Sequence, residues 1–517
     1  MNDAVAPRCH MPWQQMMIDA NGNVQPCAYR NNYNNPSSHP PCGNFNKEKL
    51  LDIWNGDEFQ KLRKDMARGD LEAAGCANCL ALKQGQPLQL LYDPDCDREA
   101  PPSSPYAKNI KLKRKEVIDG ATVLQSLPTV VYYTPTHHCN LRCIHCYQDV
   151  SRDLTISRRG AEREVQDLLP TLDRIIAGGG EPLLLPIWKR FIQNADLSVN
   201  PYLEFATTTN ATRLSEDLLI GLQRFKRLAI TVSLDGCTKE VFEPIRLRGN
   251  FEAVVANLDR LVVLSKAHSS AHISVTFSAM KANVAGLPDL VRFCAGKGIG
   301  FNLLPVIAYP VDQSLRSFNN PERQMDGWKE SLDQSRKLFE TEFVEKHVVD
   351  AFLAEVHRSH FSALEGHIPW ALLQTPHYHV QARLDSAFLS SYRPAKNHQE
   401  LLVGFFPLGD GDWRECLYYS RLEGDRIDVY LPEGEYKIGL FPRNISPHFS
   451  GDWRARVVRK SPSKATLKTF WGGTTMAFLQ RALVSRVRNQ SPRWLKDFTR
   501  TRMPRWMISY IESHMPR

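Results

Sequence analysis

The sequence predicts an α/β core of about six strand–helix units, with a small cysteine-rich domain ahead of it and helical and β-rich additions behind. Three observations carry this. Strand-like and helical stretches alternate between residues 129 and 306. Nine of the twelve cysteines fall before residue 150. Beyond residue 384 the text changes to short alternating runs broken by turns such as Gly409-Asp410-Gly411 and Glu423-Gly424-Asp425.

A chain of 517 residues, 42% hydrophobic and 23% charged, has ordinary globular composition. A wholly disordered chain, a collagen-like fibre and a small disulfide scaffold are excluded. The apolar runs, such as residues 183–185 and 261–264, are too short to span a bilayer. The first residues show no apolar segment of a secretory signal. A cytoplasmic protein is expected, in which clustered thiols stay reduced and serve metal binding or catalysis. The formal net charge of +9 is uneven: residues 452–517 hold fifteen Lys or Arg against three Asp or Glu, leaving the preceding chain slightly acidic.

Taken in order, residues 1–90 form the cysteine-rich domain, with a hairpin turn at Asn21-Gly22 and a helix over 47–68. Residues 91–128, with Pro101-Pro102 and Lys111-Leu112-Lys113-Arg114-Lys115, read as linker and exposed turn. The core spans 129–310, with strands at 129–134, 202–208, 228–234, 273–280 and 301–306, and a short one running into Gly178. Helices are expected at 158–176, 186–195, 215–225, 238–266 and 287–297. A polar helical segment (311–383), a small antiparallel β module (384–450) and a basic helical tail (451–517) follow.

Cys139-Asn140-Leu141-Arg142-Cys143-Ile144-His145-Cys146 places three cysteines as C-x3-C-x2-C just after the first core strand. Such a loop can wrap three thiolates round one face of a cubane cluster and leave one iron open for substrate chemistry. Chance cysteines, or a zinc site short of a ligand, are the bland alternatives. Gly178-Gly179-Gly180-Glu181-Pro182 follows at the next strand end, where glycines let a ligand approach the backbone and Glu181 offers a carboxylate. At the N-terminus, Cys9 and Cys27 bracket the hairpin and Cys76-Ala77-Asn78-Cys79 forms a knuckle. Those four can close a metal site, and spacing alone leaves zinc or an iron–sulfur cluster open.

Together the C-x3-C-x2-C loop and the Gly-Gly-Glu-Pro strand end resemble the radical S-adenosylmethionine (radical SAM) superfamily, over about residues 129–306. The resemblance implies a partial (β/α)6 barrel with a [4Fe–4S] cluster on Cys139, Cys143 and Cys146, its open iron chelated by SAM. It also implies that Glu181 binds the SAM amino group, that Ser233 and Asp235 touch ribose, that Arg246 lies near the SAM carboxylate and that His145 contacts adenine. Asn210 sits where relatives have Thr-Asn-Gly, and Ala211 departs from that pattern. Read alone, Ser233, Asp235 and Asn210 are ordinary turn residues and Arg246 a solvated helix-end charge.

The stretch from Cys9-His10-Met11-Pro12-Trp13 through Leu51-Asp52-Ile53-Trp54 to Cys79 resembles the SPASM/twitch auxiliary-cluster domain in its short, single-cluster form. Cys9, Cys27, Cys76 and Cys79 are then the ligands of a second [4Fe–4S] cluster, with Cys42 and Cys96 spare. In the family this domain usually follows the barrel; here it precedes it.

These resemblances imply an oxidoreductase-type radical SAM enzyme fed by a flavodoxin- or ferredoxin-like electron donor. Its radical abstracts hydrogen from a sugar, cyclitol or other small molecule, with the auxiliary cluster accepting an electron. The alternatives are a ribosomal peptide maturase and a non-catalytic iron–sulfur redox or scaffold protein. The basic tail, with Trp494, Phe498 and Trp506, is expected to meet an anionic membrane surface, an acidic partner or the protein's own body. No nucleic-acid module accompanies it.

Overall fold

The computed structural model describes residues 9–28, 30, 40–77, 79, 100–146, 148, 154–268, 270–307, 310–345, 351–384, 386–390, 401–408, 418–442, 453–461 and 464–471. They form two compact units, one reaching to Thr375 and one beginning at Pro376.

The first unit is built on a nine-stranded sheet. Strands β1 (Gln15–Ile18), β2 (Asn23–Gln25) and β3 (Gly43–Asn44) pair antiparallel in the N-terminal domain. The core adds β4 (Val130–Tyr133), a two-residue β5 (Arg142–Cys143), β6 (Arg174–Ala177), β7 (Glu204–Thr209), β8 (Arg227–Ser233), a two-residue β9 (Arg246–Leu247), β10 (Ala271–Ala279) and β11 (Gly300–Pro305). The sheet order is β11-β10-β8-β7-β6-β4-β1-β2-β3. Its six core strands stand side by side in chain order, all parallel, with helices between them, which is the expected partial (β/α)6 barrel. The N-terminal domain joins it directly: β1 pairs parallel with β4, Met17 opposite Tyr132.

Alternation decides the faces. In β8, Leu228, Ile230 and Val232 are buried while Ala229, Thr231 and Ser233 are less so. In β10, Ile273, Val275, Phe277 and Ala279 are buried and His272, Ser274, Thr276 and Ser278 face the other way. One face thus packs the helices and the other lines the barrel interior with small hydroxyls.

Three expected helices are cut short by local chemistry. The 158–176 helix stops at Gln166, and a short 3-10 turn, Leu169–Thr171 with Pro170 in it, follows before β6. The 238–266 helix splits into Lys239–Ile245 and Phe251–Ala267, the second capped by the Asn250 side chain. The 47–68 helix breaks at Asn55-Gly56 into Leu50–Trp54 and Asp57–Ala67.

The 91–128 segment is not all linker. Pro105–Ile118 is a helix whose N-cap is Ser104. Lys113, in the run taken for exposed, is buried and hydrogen-bonds the Thr129 hydroxyl. Beside it, Tyr106 donates to Asp173 at 3.0 Å, and Arg227 binds both Asp173 and Glu204 at 3.0 Å. Tyr106, Ile110, Lys113 and Val117 share the buried face of this helix, which the flanking charges mask in the sequence. After β11, the helices Trp328–Leu338 and Ala351–His367 close the barrel edge, with Phe339, Phe343, His357 and Phe361 packed round Phe301.

The second unit is a seven-stranded sheet of β12 (Tyr378–Arg383), β13 (Leu401–Pro407), β14 (Tyr418–Arg421), β15 (Arg426–Leu431), β16 (Gly434–Pro442), β17 (Trp453–Ser461) and β18 (Lys464–Trp471). Its order, β14-β13-β16-β17-β18-β12-β15, puts two consecutive strands at opposite edges. Ser420 Oγ bonds the Asp428 amide (2.9 Å) and carbonyl (3.1 Å), so the edges meet and the sheet curls on itself. The β module is therefore larger than the expected 384–450, and residues 453–471, expected as helical tail, are a hairpin. Ala455 and Val457 point inward between outward Arg454 and Arg456, a strand period. Residues 472–517 lie outside the described residues, as do Cys96 and Cys416. Among the described residues, no helix is long and apolar enough to cross a membrane.

Candidate functional site

The cysteine loop and the glycine strand end are physically interlocked. As the chain leaves β4, Gly178 N donates to Tyr133 O (2.9 Å), Gly180 N to Thr136 O (3.2 Å) and Glu181 N to His138 O (3.0 Å). A Cβ on Gly180 would lie 2.3 Å from the carbonyl oxygens of His137 and His138, so only glycine allows the approach. Gly179 adopts φ +143°, which other residues avoid. The two motifs thus build one surface.

Cys143 is carried by β5, which pairs antiparallel with β9, opposite Arg246. Cys139 and Cys143 are half-buried and Cys146 is exposed. The Cys139 sulfur receives Leu141 N at 3.4 Å and Asn210 Nδ2 at 3.8 Å. Burial pushes the Cys139 and Cys143 thiols up, Cys143 to about 11, so a cluster binding here would displace their protons.

Glu181 is buried and accepts three hydrogen bonds: Thr209 Oγ1 (2.6 Å), Asn210 N (2.6 Å) and Leu183 N (3.1 Å). Desolvation raises its pKa against the pull of those donors. Its carboxylate clamps the 209–212 turn, and that leaves room for about one further donor such as an ammonium. Asn210 continues the clamp, donating to Asn140 Oδ1 at 2.9 Å. Ala211 holds the left-handed φ of 50° that glycine takes easily.

Asp235 is placed differently from the expected ribose contact. Its side chain is fully buried; Oδ1 accepts from Ser278 N at 2.7 Å, and Oδ2 lies 2.7 Å from Arg246 Nη2 and 3.3 Å from His145 Nε2. Arg246 is not a solvated helix-end charge either, being 6% exposed with Nη1 3.7 Å from the Cys143 sulfur. Its Nε and His145 Nδ1 are buried without hydrogen-bond partners. Ser233 is half-buried on the interior face. Sequence reasoning missed Thr209, at the end of β7, and Ser278 and Asn283, whose signal was the polar alternation of β10 and the turn after it.

The N-terminal cysteines gather at the other end of the sheet. Cys9 precedes the helical turn Met11–Gln14 that feeds β1, and Cys27 follows β2, which runs back down. Cys79 N donates to Cys76 O at 3.0 Å in the knuckle. Burial raises the Cys9 thiol, and its neighbours Cys27, Cys76 and Cys79 raise it further. Cys42, expected as spare, lies in the same neighbourhood: its sulfur accepts from Arg30 Nη1 at 3.5 Å, and it adds to the raised pKa of Cys76. Among the described residues, no three His, Cys, Asp or Glu side chains converge as one metal ion requires.

Residues 9–80 match the family model SPASM, an iron–sulfur cluster-binding domain. Residues 133–274 match the radical SAM superfamily. Residues 133–274 are thus a radical SAM domain, preceded by a SPASM domain. The chain is 27% identical over 188 residues to a probable GTP 3′,8-cyclase of Methanocaldococcus jannaschii, covering 35% of it and 60% of that relative. It is 28% identical over 170 residues to the mycofactocin maturase MftC of Mycobacterium ulcerans, covering 31% of it and 43% of that relative. The match therefore spans less than two thirds of either relative. Among solved structures, it is similar to Streptococcus suis SuiB bound to precursor peptide SuiA, at 17% identity and TM-score 0.31, over 48% of this chain and 55% of that one.

Proposed function

We propose that this chain is a radical SAM enzyme that matures a precursor peptide. Cys139, Cys143 and Cys146 hold the SAM-binding cluster; Cys9, Cys27, Cys76 and Cys79 hold the auxiliary one. When bound, cluster and SAM supply a 5′-deoxyadenosyl radical that takes hydrogen from an unactivated C–H bond. The observation that supports this most is the interlock of the cysteine loop with the glycine strand end and the Glu181 clamp. It fixes the loop backbone beside the buried Glu181 carboxylate, which would receive the SAM amino group, and sets His145 and Arg246 behind the loop. The interior hydroxyls of Thr231, Ser233, Ser274 and Thr276 offer neutral hydrogen-bonding groups that suit amide backbone.

The mycofactocin maturase relatives favour this peptide reading over modification of a sugar or cyclitol. The GTP 3′,8-cyclase relative keeps a small-molecule substrate as the second reading. A flavodoxin- or ferredoxin-like protein supplies the electron in either case. The test is anaerobic turnover with dithionite and SAM, using deuterated candidate precursor peptides encoded by neighbouring genes. Deuterium should pass into 5′-deoxyadenosine from one of them. Transfer from a small molecule and from no such peptide would overturn the peptide reading.

A further inference from the structure

Cys143 is gripped twice. Its backbone pairs with Arg246, and the next residue, Ile144, donates its amide to Ile245 O at 2.9 Å. Its sulfur lies 3.7 Å from Arg246 Nη1. The other arm of the same guanidinium, Nη2, is 2.7 Å from Asp235 Oδ2, with side-chain exposures of 8% for Arg246 and 0% for Asp235. Asp235 is itself pinned from a third element: Ser278 N donates to Oδ1 at 2.7 Å, and Asn283 Nδ2 donates to the Asp235 carbonyl at 3.0 Å. His145, one residue before Cys146, places Nε2 3.3 Å from the same carboxylate. Immediately after Arg246 the chain turns back, with Arg248 at φ 72° and Gly249 N bonded to Arg246 O at 2.8 Å. Arg246 cannot swing toward another anion without leaving a buried carboxylate uncompensated.

We propose that Asp235 locks the Arg246 guanidinium against the Cys143 sulfur, making Arg246 a positioning residue that sets the reduction potential of the cluster on this loop. The proposal rests on the reading of the loop as a cluster site. Reduction adds one electron, delivered by the flavodoxin-like donor or by dithionite, and moves no proton. A fixed cation beside a ligand sulfur stabilises the more negative, reduced form, and burial keeps solvent from screening it. Asp235 offsets part of that charge, so the pair sets an intermediate value.

The readout is an EPR-monitored redox titration of reconstituted full-length protein, following the cluster signal that changes when SAM is added. Without SAM, Arg246→Gln should move that midpoint to lower potential and Arg246→Lys should move it less. If Arg246 serves instead as a SAM-carboxylate ligand, Arg246→Gln weakens SAM binding tenfold or more and leaves the SAM-free midpoint unchanged, which overturns the proposal. Where Arg246→Gln fails to fold, the Arg246→Lys midpoint decides: a SAM-free midpoint that does not move downward overturns it as well. A wild-type protein with no SAM-responsive four-iron signal sinks the cluster reading itself.

Discussion

The barrel cysteines stand outside the hydrophobic core and are organised by charge, whereas the N-terminal cysteines are built into the core. None of Cys139, Cys143 and Cys146 belongs to the main apolar cluster, which does include Cys9 and Cys42, with Cys27 and Cys76 packed on it. Trp13, Phe45, Trp54 and Phe59 belong to the same cluster, each 1% exposed or less. The difference fits a division of labour. A site that admits SAM and an electron needs an open side, while a site whose coordination positions are all filled by protein can be sealed.

The comparison breaks first at the cysteines. Replacing Cys139, Cys143 and Cys146 by Ala should remove about half of some eight bound irons and abolish SAM cleavage. Replacing Cys76 and Cys79 should spare 5′-deoxyadenosine formation and abolish product, provided circular dichroism shows a native fold, since a metal site also stabilises its domain. Product at the wild-type yield from that folded variant would refute a catalytic role for the N-terminal site.

Next in size is Arg63, which holds the N-terminal domain from inside. It is fully buried, donates to the carbonyls of Pro12 (2.9 Å), Trp54 (2.8 Å) and Thr122 (2.9 Å), and stacks on Trp54. Arg63→Met strands those carbonyls and should cost roughly 3–5 kcal/mol by denaturant titration. The matching change on the barrel side, Arg246→Lys, should cost less, because it keeps the charge.

Lys113 gives a pH signature. Burial depresses its pKa from the ordinary 10.5 to about 7, opposed by nearby Asp173. Between those values the unfolded chain holds a proton that the folded chain has lost, so stability rises as pH climbs from about 7 towards 10.5. Lys113→Met should be more stable than wild type at pH 6, with the gap closing by pH 10; equal urea midpoints at both ends would contradict the burial. The smallest effect is at Ala211: Ala211→Gly relieves the φ of 50° and should stabilise by about 0.5–1 kcal/mol.

The parts of the site that read clearly from the sequence are those whose signal is local. The C-x3-C-x2-C spacing and the glycine run are each a few residues long, and the strand alternation around Leu228 and Val275 sets the faces. What escaped depends on residues far apart. Asp235 looks like a strand-end turn until β10 and the Arg246 turn close over it. Glu181 looks like a free carboxylate until β7 delivers Thr209 and Asn210. Lys113 sits in a basic run whose charges outweigh the helical period that buries it. The tail misled differently: in residues 453–471 the strand period was present, but the surplus of arginine and lysine drew attention to charge.

The parallel seam between β1 and β4 has a consequence for assembly. Gln14 and Thr129 meet across 115 residues, and closing such a loop costs about 4 kcal/mol of chain entropy beyond a constant. Until β4 arrives, β1 is an unpaired edge with Met16 and Ile18 uncovered, the kind of strand that invites pairing with another chain. The N-terminal domain is thus slow to become safe on its own, and its stability is borrowed from a barrel that is synthesised after it. Cluster loading before that seam closes would have to stabilise a half-built domain; loading afterwards would have to reach cysteines that the finished core has already covered.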